Sequence, residues 1–205
     1  MKAKRIKNWL LLASSALLLG ACSSIETTAE WKDPEYRGGA VKSFLVVGVS
    51  DNLPARRRFE DEFAAKLQAA GAQASASYKV LGEGIEPSAE VVEAYLEDSS
   101  QAAILVTHLI GSEERSVYTP PSRQPVPRYY GSYRGYYGTV HDYVYQPGYY
   151  TQHEFLQLET NLYQAADGAL IWSMQSQSID PRSVDRLIDD LIELTTKRLQ
   201  DQGLL

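Results

Sequence analysis

The side chains whose types could do chemistry here are three histidines, one cysteine and a run of three arginines. His108, His141 and His153 stand in no short metal-ligating spacing, so the sequence predicts no metal site. His108 lies inside an apolar stretch and reads as a core histidine bonded to a neighbour. His141 and Asp142 are adjacent, but neighbours on a strand point to opposite faces, so they do not read as a catalytic pair. Arg56, Arg57 and Arg58 open a predicted helix, where positive charge opposes the helix dipole. One account is an anion site at the carboxyl end of a strand. The other, which the spacing favours, is internal pairing with Glu60, Asp61 and Glu62, each four residues on. Gly82-Glu83-Gly84 lacks the third glycine of a dinucleotide fingerprint, and neither Gly-x-Ser-x-Gly nor a phosphate loop occurs. No cofactor is therefore expected.

The cysteine is Cys22, and what precedes it explains it. Residues 1 to 8 hold Lys2, Lys4, Arg5 and Lys7 with no acid, and Trp9 to Leu19 is an apolar stretch of eleven residues. A membrane span needs ~20 apolar residues and a signal-peptide core ~7 to 15, so residues 1–21 read as a signal peptide. Leu19-Gly20-Ala21-Cys22 resembles the lipobox of bacterial lipoproteins. That resemblance implies that Cys22 becomes the first residue, with diacylglycerol on its sulfur and a further acyl chain such as palmitate on its amine. Two or more chains give stable anchoring without a span. Ser23 in place of Asp favours, by the same lipoprotein pattern, the outer membrane, and the domain is expected to face the periplasm.

The chain has 205 residues, 44% of them hydrophobic and 22% charged, which suits one globular domain. Its formal charge is −6; without Lys2, Lys4, Arg5 and Lys7 it has 16 basic against 26 acidic residues, or −10. Such a balance disfavours nucleic acid, which needs a positive footprint. With no second cysteine, no disulfide can form within the chain and a packed core must stabilise the fold.

Residues 22–30 read as a polar, lipidated tether and 31–205 as one domain. Phe44 to Val49 is a β-branched run typical of a strand buried on both faces. Phe59, Phe63, Leu67 and Ala70 recur at helical spacing before Gly71. Ala72 to Leu81 reads as a second strand, Ser88 to Leu96 as a short helix and Ala102 to Ile110 as a central strand. His153 to Ser176 reads as a hairpin turning at Asp167-Gly168. Asp180-Pro181 is expected to cap a last helix whose apolar stripe runs from Val184 through Leu187, Ile188, Leu191 and Ile192, with Asp190 on its outer face. That order predicts an α/β domain with a mixed sheet of about five strands and three helices.

Residues 118–150 are different. They hold ten of the fourteen tyrosines, five of the nine prolines, and Arg123, Arg128 and Arg134 against Asp142 alone. One reading is a recognition surface built on Tyr129, Tyr130, Tyr133, Arg134, Tyr136 and Tyr137, since tyrosine joins a rigid apolar body to a polar tip. The other is a solvated, low-complexity loop folded back over the sheet edge. Pro120, Pro121, Pro125 and Pro127 oppose ladder pairing, whereas Val140 to Tyr145 could extend a strand towards the hairpin, so half loop and half ribbon is expected.

Several segments together resemble a family of bacterial outer-membrane lipoproteins with one α/β domain after the lipobox and no assigned activity. They are Thr27-Thr28 with Trp31, Asp33 and Pro34; Val46 to Ser50; Arg57 and Arg58 with Glu60, Glu62 and Phe63; and Leu162-Tyr163 with Ile171-Trp172-Ser173. The element order is also similar to small periplasmic domains of the Tol system and of curli-type secretion lipoproteins. The function so implied is a non-enzymatic envelope module contacting an envelope protein or cell-wall glycan. The alternative is an enzyme acting on envelope glycan or lipid with carboxylates assembled in space.

Overall fold

The computed structural model of the chain describes residues 25–82, 84–97, 99–124 and 144–205. The strands are β1 (Ile25–Lys32), β2 (Ser43–Val49), β3 (Gln73–Ala76), β4 (Ala103–Thr119), β5 (Ser122–Gln124), β6 (Val144–Gln146), β7 (Tyr149–Gln164) and β8 (Leu170–Ile179). The helices are α1 (Leu53–Ala69), α2 (Ser77–Leu81), α3 (Ala89–Glu97) and α4 (Val184–Asp201). Six strands form one mixed sheet in the order β1-β8-β7-β4-β2-β3, and β5 pairs with β6 in a separate two-stranded piece. β2 lies parallel to both β3 and β4, while β4, β7, β8 and β1 pair antiparallel in turn. The predicted class, a single α/β domain on a mixed sheet, is the observed one, with one more strand and one more helix than the sequence suggests.

The central position of β2 follows from its composition, because Phe44, Leu45 and Val46 are fully buried and Val47 nearly so. Its residues alternate between two apolar clusters. Phe44 and Val46 face the larger one, with Leu105, Leu162, Trp172 and the stripes of α1 and α4. Leu45 and Val47 face a smaller one, to which α3 contributes the buried Val92. Asn52 caps α1 by accepting from the Ala55 N–H at 3.1 Å, and Gly71 takes φ +95° just beyond its end, as a carboxy-terminal glycine should.

Three elements depart from the sequence reading in their bounds, caps or faces. The tether expected over 22–30 gives way at Ile25 to an edge strand: Ile25 is buried, Lys32 Nζ donates to the Gln202 carbonyl at 2.7 Å, and Trp172 Nε1 donates to Glu30 Oε1 at 2.9 Å. A bulge between Thr27 and Ala29 breaks its alternation, so that Glu30 and Lys32 lie inward and Trp31 outward, and no single apolar face shows in the sequence. The strand expected over 72–81 ends at Ala76 and continues as the short helix α2. The last helix is capped by Ser183, whose Oγ accepts from the Arg186 N–H at 3.1 Å, and Asp180-Pro181 lies before it. On that helix Val184 is exposed, while Asp190 is buried and pairs with Arg186 at 3.3 Å. The rest of the predicted stripe does share one core with Trp172 and the first residues of β4.

The largest departure concerns β4 and β7. They extend well past the sheet, to Thr119 and from Tyr149, so part of the expected insert is paired ribbon. β2 stops opposite His108, and β8 stops opposite Phe155. Beyond those rows β4 and β7 have only each other, in register to Thr119↔Tyr149. A bulge between Leu109 and Gly111 marks where the ribbon leaves the sheet, a place where extra twist and bend are common.

Candidate functional site

The arginine run does not converge on one point. Arg56 and Glu60 occupy the same helical stripe as Phe63 and Leu67, and both are carried into the core, at 6% and 0% exposed. Arg56 Nε donates to Glu60 Oε1 at 2.9 Å, and another of its nitrogens donates to Ser77 Oγ at 3.2 Å. The same Glu60 Oε1 accepts from Ser77 Oγ at 2.8 Å and from the Gly48 N–H at 3.0 Å, while Oε2 accepts from the Tyr78 N–H at 3.0 Å. A buried carboxylate is tolerated only with such compensation. The knot ties α1 to the end of β2 and to the start of α2. Gly48 fits closely there: a Cβ would meet Phe59 Cδ1 at 3.1 Å, so the ring would have to give by a few tenths of an ångström.

Arg58 turns the other way. It pairs with Glu62 at 2.8 Å, with Asp189 at 2.9 Å and with Asp185, joining α1 to α4. Arg57 lies 5.4 Å from the centre of the Tyr78 ring. The pairings Arg56–Glu60 and Arg58–Glu62 are those that the four-residue spacing expects, and they engage two of the three guanidinium groups proposed as an anion site. Nearby, Tyr78 donates to Asp61 Oδ2 at 2.7 Å and Lys79 pairs with Asp61 at 2.6 Å. Burial raises the Asp61 pKa, but the hydrogen bonds from Lys79 and Tyr78 outweigh it and leave the carboxyl below its ordinary value. The same Asp61 bond raises the Tyr78 phenol above its own.

His108 is not a core histidine. It sits across the ladder from Glu159, more than a third exposed, with Nε2 at 3.8 Å from the carboxylate. The strand is apolar, but its face here is the thinly covered one. His153 stands at the root of the ribbon, with Nδ1 at 2.5 Å from Asp180 Oδ2. Asp180 also accepts from the Glu154 N–H at 2.9 Å, and its pKa is lowered first by the His153 hydrogen bond and then by that backbone bond. Asp180 adopts φ +48°, a left-handed conformation that Asp tolerates. Among the described residues no three His, Cys, Asp or Glu side chains gather to hold a metal.

Hollows open on both faces of the sheet among the described residues. One, of about 250 Å³, lies at the end of β2 between α1 and α4, beside Phe59, Leu156 and Leu187. The other, of about 580 Å³, opens on the opposite face, where α3 is too short to cover β2 and β4. Its floor is Val47, Ile104, Val106 and Tyr163, and its rim carries Glu93, Glu97 and Asp167. All three rim carboxylates are exposed. The signal for this cleft was present in the sequence as the two-sided apolar run of β2, which demands cover on both faces, set against a helix of nine residues on one of them.

Cys22, Tyr129, Tyr130, Tyr133, Arg134, Tyr136, Tyr137 and His141 lie outside the described residues. Among the described residues no helix is long and apolar enough to cross a membrane.

No family model matches the chain. No curated protein matches it either. Among solved structures, it is similar to a PelC dodecamer from Paraburkholderia phytofirmans, at 14% identity and a TM-score of 0.45, over 88% of this chain and 97% of that one. It is also similar to Lipoprotein GNA1162 from Neisseria meningitidis, at 15% identity and a TM-score of 0.40, over 78% and 99%.

Proposed function

We propose that this chain is a lipoprotein of the outer membrane, anchored through acylated Cys22 with its domain in the periplasm, and that it works by contact with an envelope protein or cell-wall glycan. The observation that carries the contact reading is the state of the carboxylates. An acid–base pair needs at least one carboxyl group held in a desolvated pocket so that its pKa rises. Glu93, Glu97 and Asp167 around the larger cleft are exposed, and the fully buried Glu60 is engaged by Arg56, Ser77 and two backbone N–H groups. An apolar floor with a solvated acidic rim suits a segment with apolar anchors and basic flanks better than it suits bond cleavage.

The anchor and the contact are tested separately. Cys22→Ser is expected to leave the precursor unprocessed and without incorporated palmitate; equal incorporation would refute the anchor. A photo-crosslinking residue at Glu93 in intact cells is expected to give discrete adducts that are lost on Val106→Asp and absent from a probe at Lys197 on the exposed side of α4. Identical adduct patterns from Glu93 and Lys197 would count against the cleft.

A further inference from the structure

The register of the sheet places the anchor and the ribbon at one end of the molecule. Ile25 is opposite Ser178, Ser178 is opposite Leu156, and Leu156 is opposite Ser112, so one row crosses β1, β8, β7 and β4. β1 runs away from that row into the domain. The chain before Ile25 leaves from the same end at which β4 and β7 project.

The reach of the two can be compared. Only Ser23 and Ser24 separate Cys22 from Ile25, so a fully extended backbone carries the Cys22 Cα no more than ~11 Å from the Ile25 Cα, at ~3.6 Å per residue. Thr119 lies seven residues past Ser112 in continuous strand, ~23 Å at ~3.3 Å per residue. β7 is two strands from β1, and a twist of ~20–25° per strand inclines the ribbon by ~45°, which leaves ~16 Å along the direction of β1. The ribbon therefore outreaches the cysteine on the side where its acyl chains must enter the bilayer.

The side chains in the last rows of the β4–β7 ladder, where the chain continues into β5 and returns from β6, suit that position. Val117 is 48%, Tyr118 51%, Tyr149 57% and Tyr150 72% exposed, with the rings of Tyr118 and Tyr150 at 4.9 Å between centroids. Tyrosine concentrates at the level of lipid headgroups, where the ring meets the acyl boundary and the hydroxyl stays wet. The ladder between β4 and β7 pairs one edge of each strand and leaves the other open, so water must reach the open edges, which holds the ribbon at headgroup depth rather than in the hydrocarbon. From this we infer that the end of the ribbon, with Val117, Tyr118, Tyr149 and Tyr150, rests in the headgroup region of the bilayer that holds the anchor. It forms a second, non-covalent contact that fixes how the domain stands on the membrane. This rests on the acylation of Cys22 and names the lipid surface as the ribbon's partner, leaving the cleft on the sheet face turned to the periplasm.

Acylation consumes the only native thiol, so Tyr150→Cys in the full-length protein offers a single site for an environment-sensitive fluorophore. Val117→Cys gives a second position on the ribbon, and Ala166→Cys in the β7–β8 turn reports the far end of the sheet. The proteins are reconstituted in phosphatidylethanolamine–phosphatidylglycerol vesicles with and without headgroup-level nitroxide lipid. Probes at 150 and 117 should shift to the blue and lose intensity to the nitroxide lipid, whereas the probe at 166 should do neither. Ribbon probes as water-exposed as the one at 166 would overturn the inference. So would ribbon probes shielded from a water-soluble quencher yet untouched by the nitroxide lipid, since a protein or a second copy would then cover them. Intact mass reports the acyl chains independently. If they are absent, Cys22 keeps a thiol that also takes the label, and the same probes are repeated on Cys22→Ser to keep a single site. Ribbon probes that then still respond to vesicles leave the ribbon contact standing while the anchor reading falls; probes that do not respond overturn both.

Discussion

β4 and β7 pass through two environments, and the contrast between their halves shows what each rests on. In the covered half, Ala103, Leu105 and Leu162 are completely buried, Leu158 nearly so, and the polar Thr107 and Thr160 share a hydrogen bond at 2.9 Å. In the ribbon half, residues 112 to 119 are all exposed and the same ladder continues without a core beneath it. Inside the sheet, pairing and packing specify the strand together. In the ribbon, backbone pairing and cross-strand contacts such as Tyr118 with Tyr150 act alone, and an isolated two-stranded ribbon is only marginally stable in water.

The sharpest way to test this division is to break the covered half at its most demanding point. Glu60→Ala leaves the Arg56 guanidinium buried without its carboxylate and should cost ~3 to 5 kcal/mol. The double variant Arg56→Met, Glu60→Leu should recover most of that loss, because removing both charges removes the desolvation cost with them. Chemical denaturation of the detergent-solubilised full-length protein measures both, and a double variant no more stable than Glu60→Ala would show that the backbone bonds to Glu60 matter more than the ion pair. Next in size is Leu162→Ala, in the covered half of β7, with an expected loss of ~2 to 5 kcal/mol set by the cavity it leaves.

A third substitution addresses the border between the halves. Asp180 closes on His153 and on the Glu154 N–H where β7 leaves β8. Its folded pKa is depressed, so the stability it contributes is present above the unfolded value, ~3.9, and is lost as pH falls through the lower folded value. Asp180→Asn keeps a residue that accepts the left-handed backbone at this position and removes the titration. The wild type should lose stability between about pH 4 and its folded pKa more steeply than the variant. Parallel curves in that window would dismiss the carboxylate as a clasp.

How much could be read from sequence divides along the same line. The stripe Leu187, Ile188, Leu191, Ile192 was legible because one-sided burial imposes a helical period on composition, β2 because two-sided burial leaves an unbroken apolar run, and the Asp167-Gly168 turn because its glycine supplies the positive φ, +69°, that the turn takes. Residues 111 to 117, Gly-Ser-Glu-Glu-Arg-Ser-Val, carry no such period, since a ribbon that buries neither face needs none. β1 was missed for a related reason: as an edge strand it buries Ile25 but leaves Trp31 half exposed, and it stays attached through Lys32 and Glu30 rather than through an apolar row. At the site, Arg56, Glu60, Phe63 and Leu67 stand at i, i+4, i+7 and i+11, so the core position of the ion pair was readable. Its partners Ser77 and Gly48 were not, because only the fold brings them near.

The smallest effect is the most informative about the ribbon. Tyr150 is 72% exposed, and its ring meets that of Tyr118 across the ladder, a class of pair that contributes ~0.2 to 1 kcal/mol. Removing it in detergent-solubilised protein should leave the global denaturation midpoint in place, because the core under α1 and α4 does not include that ring. The loss should appear as local opening, which amide hydrogen exchange resolves residue by residue. In the wild type, amides at 104 to 107 and 159 to 162 should exchange only with global unfolding, and those at 113 to 118 and 150 to 155 much sooner, although each pair of segments belongs to the same two strands. Tyr150→Ala should widen that gap by speeding the ribbon amides alone. Uniform protection along the whole of β4 and β7, or an equal acceleration in both halves, would mean that the ribbon folds as part of the sheet and that the division drawn at the Leu109–Gly111 bulge is not an energetic one.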